Sequence, residues 1–508
     1  MQHPNKHHHS ANCKLILVML SFSVLLLLLL SCLITIKYLK VIWATRNLPP
    51  GPVPFPFIGN LWTLSFKLHP DTLTKLAETY GNIYTVWLGE TPLVVLNGYK
   101  AVKDGIISHS EVLSGRPVAS FLKDLIGGKG IVMANGHTWK QQRRFGLMTL
   151  RKLGLGKSVL ESQIQVEARC MVEQFTAERG EPFDPIFILE HAVSNIISAV
   201  VYGHRFPIDD DTFQELIRSN HYITENLSSP WARIYDAFPW LMKRIPGPHQ
   251  TAFRHMNYLN EYAKNEIKIH KENISSGEPQ DVIDHYLARI NKCRNETDST
   301  FDEENLMAVI IDFFGAGIET TGVSMLWGLL YMVAYPHIQE KVQKELDTVL
   351  DGNPLYYEDR KRLPYTNAVI HEILRFGNIS AVGIPRTCIK DLKVRNYFLQ
   401  KHTMVLANLH SVLYDPKYWK TPKQFNPQNF LDRGGNFLMN EAFMPFSAGS
   451  RVCLGEQLAR FQLFIFFSTL MQSFSFRLPE GETEVNTQYR YKLTLQPHPF
   501  KICAIPRL

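Results

Sequence analysis

The chain has 508 residues, 45% hydrophobic and 11% aromatic, which is enough to bury a large core in one domain or several smaller ones. Its formal net charge of +7 comes without a long Lys/Arg tract, which argues against a nucleic-acid partner and suits an anionic membrane face or an acidic protein. The seven cysteines (Cys13, Cys32, Cys170, Cys293, Cys388, Cys453 and Cys503) are odd in number and scattered, without CxxC pairs or zinc spacing; a reducing compartment is expected from residue 50 onward.

The chain opens on a His-rich tail (His3, His7, His8, His9) that reads as solvated. Leu15 to Ile36 follows, 22 residues without a charge, long enough to span a bilayer. It predicts an uncleaved anchor. A cleaved signal is the rival, but no small-x-small site follows and Lys37, Lys40 and Arg46 do. Lys6 and Lys14 on the other flank leave orientation weakly set by charge. Asn47 to Asn60 holds five prolines and two glycines, which predicts a stiff, extended connector.

Ile83 to Leu96 is two β-rich runs around Gly89-Glu90-Thr91-Pro92, a hairpin signal. Helical patterning then dominates, over about 135–175, 190–202, 210–225, 250–272, 281–292, 303–335, 337–350, 364–376 and 455–473. The expected fold is mainly α with small β-sheets. The expected division is a tail, anchor and linker over 1–47, then one domain over 48–508, with no internal repeat.

Chemistry concentrates in four stretches. In "PFSAGSRVCLGEQLAR", Cys453 stands at the edge of an apolar helix, where backbone N–H groups favour a thiolate. Gly449 and Gly455 permit a tight turn and close approach to something flat, Phe446 can cover the sulfur, and Arg451 can meet an anion. In "DFFGAGIETTGV", glycines in mid-helix cost roughly 1 kcal/mol each against alanine. A close-packed neighbouring helix explains them; so does a flat macrocycle against Ala316 and Gly317, with Glu319 and Thr320 supplying an acid and an alcohol. This helix is expected to start on a capping box of Thr300 and Glu303. In "HEILRF", Glu372 and Arg375 share a helical face, which by itself reads as a surface ion pair. In "WKQQRRF", Trp139 and Arg143 lie one turn apart.

The F-x-x-G-x-R-x-C-x-G pattern, followed backward through the other three stretches in order, resembles the cytochrome P-450 family over about residues 48 to 508 and the anchor as well. "GIVMANGHTWKQQRRF", "AVIHEILRF" and "PFSAGSRVCLGEQLAR" look like the vertebrate family 2 of these enzymes. The resemblance implies haem b with Cys453 as iron ligand, dioxygen as co-substrate, and electrons from NADPH through a reductase, with cytochrome b5 as a further partner. It places Arg116, Trp139, Arg143, Arg386 and Arg451 at the haem propionates and leaves Lys140 and Arg144 for an electron donor. It implies a proton relay through Glu319 and Thr320, and a lipophilic pocket drawing on Val132, Phe313, Phe314, Ala316, Gly317, Ser380 and Ile384. Glu372 and Arg375 become a structural pair whose third partner, usually charged, is here replaced by Gln428 and Asn429. The implied location is the endoplasmic reticulum membrane, with a single anchor and the globule on the cytosolic face, where the sequons at Asn226, Asn273, Asn295 and Asn378 go unused. Rival readings are a peroxide-rearranging haem-thiolate enzyme, a haem sensor without turnover, and a cysteine hydrolase, for which no partner histidine is marked out.

Overall fold

In the computed structural model, residues 6–154, 158–273 and 278–507 are described. The side chains of the His-rich start and the end of the Asn273 sequon lie outside them. Helix α1 (Lys6–Thr45) is apolar and unburied from Met19 to Thr45, long enough to cross a bilayer. The connector behind it does not stand free. Pro50 O accepts from Thr85 N at 2.8 Å, and the buried Asn60 accepts from Trp87 N at 2.8 Å, so the proline-rich segment is sewn to the first strand.

The body then builds α2 (Pro70–Tyr80), the hairpin β1 (Ile83–Leu88) and β2 (Thr91–Asn97), and the short helices α3 (Tyr99–Val102) and α4 (Ser120–Ile126). The stretch expected as one helical run over 135–175 divides into α5 (Gly136–Lys152) and α6 (Ser158–Ala177). There follow α7 (Ile186–Tyr202), α8 (Asp211–Leu227), α9 (Pro230–Ala237), α10 (Pro239–Met242), α11 (Pro248–Glu272), α12 (Val282–Lys292), α13 (Glu303–Ala334), α14 (Pro336–Leu350) and α15 (Pro364–Gly377). The last third adds β3 (Arg386–Thr387), β4 (Leu392–Val394), β5 (Tyr397–Leu399), β6 (Met404–Asn408), α16 (Leu409–Leu413), α17 (Glu456–Ser473), β7 (Phe474–Arg477), β8 (Tyr489–Tyr491), β9 (Leu495–Pro497) and β10 (Cys503–Pro506).

One four-stranded sheet runs β1-β2-β6-β3, with β2 parallel to β6 in the register Leu93 to Met404 and the other pairs antiparallel. The remaining strands pair as β4-β5, β7-β10 and β8-β9. The largest core surrounds α13, which packs most extensively on α7 and also on α17, α15 and α11. Helix α13 is as long as a membrane span but lies in this core.

The cap of α13 differs from the expected one. Asp302 accepts from Asn305 N at 2.7 Å, one charged side chain satisfying an orphan N–H. Thr300 is engaged elsewhere: its hydroxyl donates to Gln141 Oε1 at 2.9 Å and accepts from Gln142 Nε2 at 3.0 Å.

Glu372 and Arg375 are not on the surface. Both are fully buried, joined by two 2.7 Å bonds. The remaining guanidinium hydrogens go to the carbonyls of Leu413, Pro422 and Gln424, and Glu372 also accepts from Asn426 N at 2.8 Å and Asn429 Nδ2 at 3.1 Å. Asn429 thus fills the third place with a neutral donor. The network ties α15 to the segment that leads into the Cys453 loop. Removing one charge leaves the other buried without compensation. Glu372→Ala is therefore expected to destabilise the fold by about 3–5 kcal/mol, measured by denaturant unfolding.

Candidate functional site

Cys453 precedes α17 in a loop closed by a bond from its own N–H to Phe446 O at 3.0 Å. Gly449 has φ +72°, and a Cβ there would lie 2.2 Å from Ile106 O. The glycine thus lets the loop pack against the Ile106 backbone. The Cys453 side chain has accessible surface although protein encloses it on nearly every side, so that surface faces an internal space. Burial pushes its thiol up, and the opposing pulls of the Gly455 and Glu456 amides and Arg143 are smaller. The helix edge by itself does not make the expected thiolate; a bound cation at the sulfur would.

Four guanidiniums gather beside this loop: Arg116, Arg143, Arg386 and Arg451. Burial, and then the charges of its neighbours, pushes the pKa of each of Arg116, Arg386 and Arg451 below the ordinary guanidinium value. Arg451 is largely spent on carbonyls, donating to Ser114 O, Ile131 O and Ala134 O at 2.8, 3.0 and 2.6 Å, with Trp139 stacked 4.1 Å away. Arg116 bonds Val132 O, Ile384 O and Pro385 O. Arg143 donates to Val452 O at 2.7 Å. Arg386 Nη1 and Trp139 Nε1, however, are buried donors without a protein partner. The nearby acid, Asp312, is itself pushed up to about 6 by burial and accepts from the N–H groups of Ile131 and Val132. A group carrying carboxylates fits this donor set, and haem, with a thiolate at its iron and two propionates, satisfies both ends.

Helix α13 sends successive residues to different neighbours. Ala316 is exposed in mid-helix, surface that faces the interior space. Thr320 donates its hydroxyl proton to Ala316 O at 2.8 Å, leaving its lone pairs free toward the same space. Gly317 turns the other way: a Cβ there would meet Ile197 of α7 at 2.5 Å, so close helix packing accounts for it. Phe314 is buried beside Tyr202, and Phe313, also buried, has its ring edge near Gly146 of α5. Val132 and Ser380 are partly exposed, and Ile384 is 49% exposed.

Glu319 is buried and does not share the outlook of Thr320. Its Oε1 accepts from Thr494 Oγ1 at 2.5 Å and from Gln496 Nε2 at 3.2 Å. The hairpin β8-β9 is fixed to α13 by Trp327 Nε1 donating to Leu495 O at 2.9 Å. Sequence reasoning missed Thr494 and Gln496. The sequence shows only that these two polar residues flank Leu495 at the period-two spacing that puts both on one face of a strand, and does not name Glu319 as their partner.

The cytochrome P450 family model matches residues 49–504. Human cytochrome P450 2J2 is 42% identical over 464 residues, covering 91% of this chain and 92% of its own length. Cytochrome P450 2J1 of Oryctolagus cuniculus has the same identity and coverage over 463 residues. Cytochrome P450 2C25 of Mesocricetus auratus is 38% identical, covering 95% of this chain and 99% of its own. With a cysteine loop, a cluster of buried guanidiniums and a distal alcohol assembled as described, and with likeness over nearly the whole chain, this protein belongs to the cytochrome P450 family.

Proposed function

We propose that the chain is a membrane-anchored haem-thiolate monooxygenase that inserts one atom of dioxygen into lipophilic molecules, with electrons from NADPH delivered by a reductase and cytochrome b5 as a further donor. The observation that carries this reading is Cys453, presented to an interior space beside two buried donors, Arg386 Nη1 and Trp139 Nε1, that have no partner in the protein. When bound, haem supplies the iron at which dioxygen is reduced.

The chain's own residues do the rest. Cys453 would hold the iron, with the backbone amides of Gly455 and Glu456 favouring negative charge on its sulfur. Arg386 and Trp139 offer their free donors to the propionates, with Arg116, Arg143 and Arg451 supplying positive field. Thr320 accepts a hydrogen bond from the cleft while its proton rests on Ala316 O, and can return that proton by turning about its Cβ–Oγ bond. Glu319 stands behind it as the acid of the relay, held off the cleft by Thr494 and Gln496. Val132, Ala316, Ser380 and Ile384 offer a substrate no charge, so its recognised part is apolar, and a carboxylate, as on a long-chain fatty acid, stays near the entrance.

Lys140 and Arg144 are exposed on α5, the helix that supplies Arg143 to the thiolate side, and suit an acidic electron donor. We assign the protein to the endoplasmic reticulum membrane, globule on the cytosolic face. A second apolar surface supports attachment there: Trp231, Ile234, Phe238, Trp240 and Leu241 are exposed on and between α9 and α10.

Cys453→Ser is expected to lose both oxygenation and the thiolate signature in the carbon monoxide spectrum of the reduced protein, because a neutral alcohol is a poor iron ligand; retention of both would end the haem-thiolate reading. Thr320→Ala should keep that spectrum and lower product formed per NADPH consumed, with peroxide rising in proportion. Removal of residues 1–46 should leave a folded haem protein that still sediments in part with phospholipid vesicles; a misfolded product would mean that α1 belongs to the core.

A further inference from the structure

Glu190 of α7 has no part in the chemistry above, yet it is a carboxylate only 6% exposed in the seam between α7, α8 and α13. Its Oε2 takes His221 Nε2 of α8 at 2.9 Å, and its Oε1 is buried with no partner in the protein. Its stem lies against Gly322, where a Cβ would stand 3.2 Å from Glu190 Cγ. Gly322 is one helical turn beyond Glu319, and Glu319 is close enough to act electrostatically on His221, so the unpartnered oxygen sits in a seam that Glu319 also borders. The seam holds further orphans. Ser194 and Ser198 follow Glu190 at four-residue spacing on α7, and Asn220 precedes His221 on α8; Ser194 Oγ, Ser198 Oγ and Asn220 Nδ2 are buried without partners. A row of buried polar atoms with unused bonding capacity is where ordered water is held in a protein.

The outer end of the seam reaches solvent. The His221 side chain is one-third exposed, near Lys492 of the β8-β9 hairpin, which pairs with Glu225 at 3.7 Å. Burial lowers the His221 pKa, but the bond and charge of Glu190, with a smaller push from Glu319 and an opposing one from Lys492, carry it above the ordinary value. The three histidines of α11 are engaged elsewhere, His249 with Met242 O, His255 with Ser219 and Glu215, and His270 with Asp281.

We infer that His221 and Glu190 form the proton entry route from solvent to Glu319. The inference rests on the monooxygenase reading, which requires protons at Thr320 and provides no other use for a half-paired buried acid. A proton from solvent water binds His221 Nδ1 as the Nε2 proton passes to Glu190 Oε2. Rotation of the carboxyl carries Oε2–H round to the seam, where it gives that proton to water, and that water gives one of its own to Glu319, while His221 exchanges with solvent back to its Nε2–H form. One proton enters, one leaves, and no electrons move. Neither residue touches substrate or cofactor; both act through Glu319.

The test uses the full chain loaded with haem, with reductase present. Each variant is first examined by its carbon monoxide spectrum and its substrate dissociation constant, both expected unchanged. The His221 ring is then titrated by NMR in isotope-labelled protein, and its pKa is expected to fall in Glu190→Gln. Product per NADPH is expected to fall on the order of tenfold in Glu190→Gln and in His221→Gln, with the difference appearing as peroxide, and Glu190→Asp, which keeps an acid, is expected to recover part of it. An unchanged ratio in either glutamine variant, or no recovery with aspartate, overturns the route. A wild-type protein without the thiolate spectrum would instead overturn the monooxygenase reading itself.

Discussion

The close approach of α7 to α13 is the constraint on which the rest of the molecule depends. Gly317 and Gly322 leave room for Ile197 and for the stem of Glu190, and a methyl group at Gly317 would already stand 2.5 Å from Ile197. Cores packed at crystal density cannot absorb such an overlap without moving a helix. With one face of α13 committed to α7, the neighbouring residues have fixed outlooks. Ala316 and Thr320 face the interior space, Phe314 turns into the core, and Glu319 meets the C-terminal hairpin. The different surroundings of Thr320 and Glu319 follow from helix packing before any ligand is considered.

A second constraint is electrostatic. The molecule buries like charges beside Cys453, an arrangement that is unfavourable until something anionic shares the space. Carbonyl groups of the segments before α4, α5 and β3 absorb most of the donors of Arg451 and Arg116, and Arg451 thereby holds the Cys453 loop to two of them. The unshared donors on Arg386 and Trp139 remain for a ligand. An anion bound there would stabilise the folded chain by mass action, since the unfolded chain lacks the site. Far from this charge, the buried Glu372–Arg375 pair holds α15 to the segment that precedes the loop, and there charge is balanced within the protein.

The amino-acid sequence by itself determined the elements whose signals are local. Apolar length marked α1, alternating β-rich runs around a turn marked β1 and β2, and helical periodicity placed α7, α8, α11 to α15 and α17 to within a few residues. The order of residues around Cys453 was equally legible, because a loop that turns tightly ahead of a helix has to be written in consecutive positions. Tertiary structure alone decided what depends on distance between segments far apart in the chain. Helices α9 and α10 carry an exposed apolar surface that periodicity does not reward, and Thr300, read as a cap, is claimed by two glutamines of α5. An E-x-x-R spacing is the same on a surface as in a core, so only burial showed that the pair of Glu372 and Arg375 is internal. Gly317 is read equally well as space for a ligand or for a helix until Ile197 is seen against it. The partners of Glu319 lie 175 and 177 positions away at Thr494 and Gln496, and no local pattern encodes a hydrogen bond across that separation.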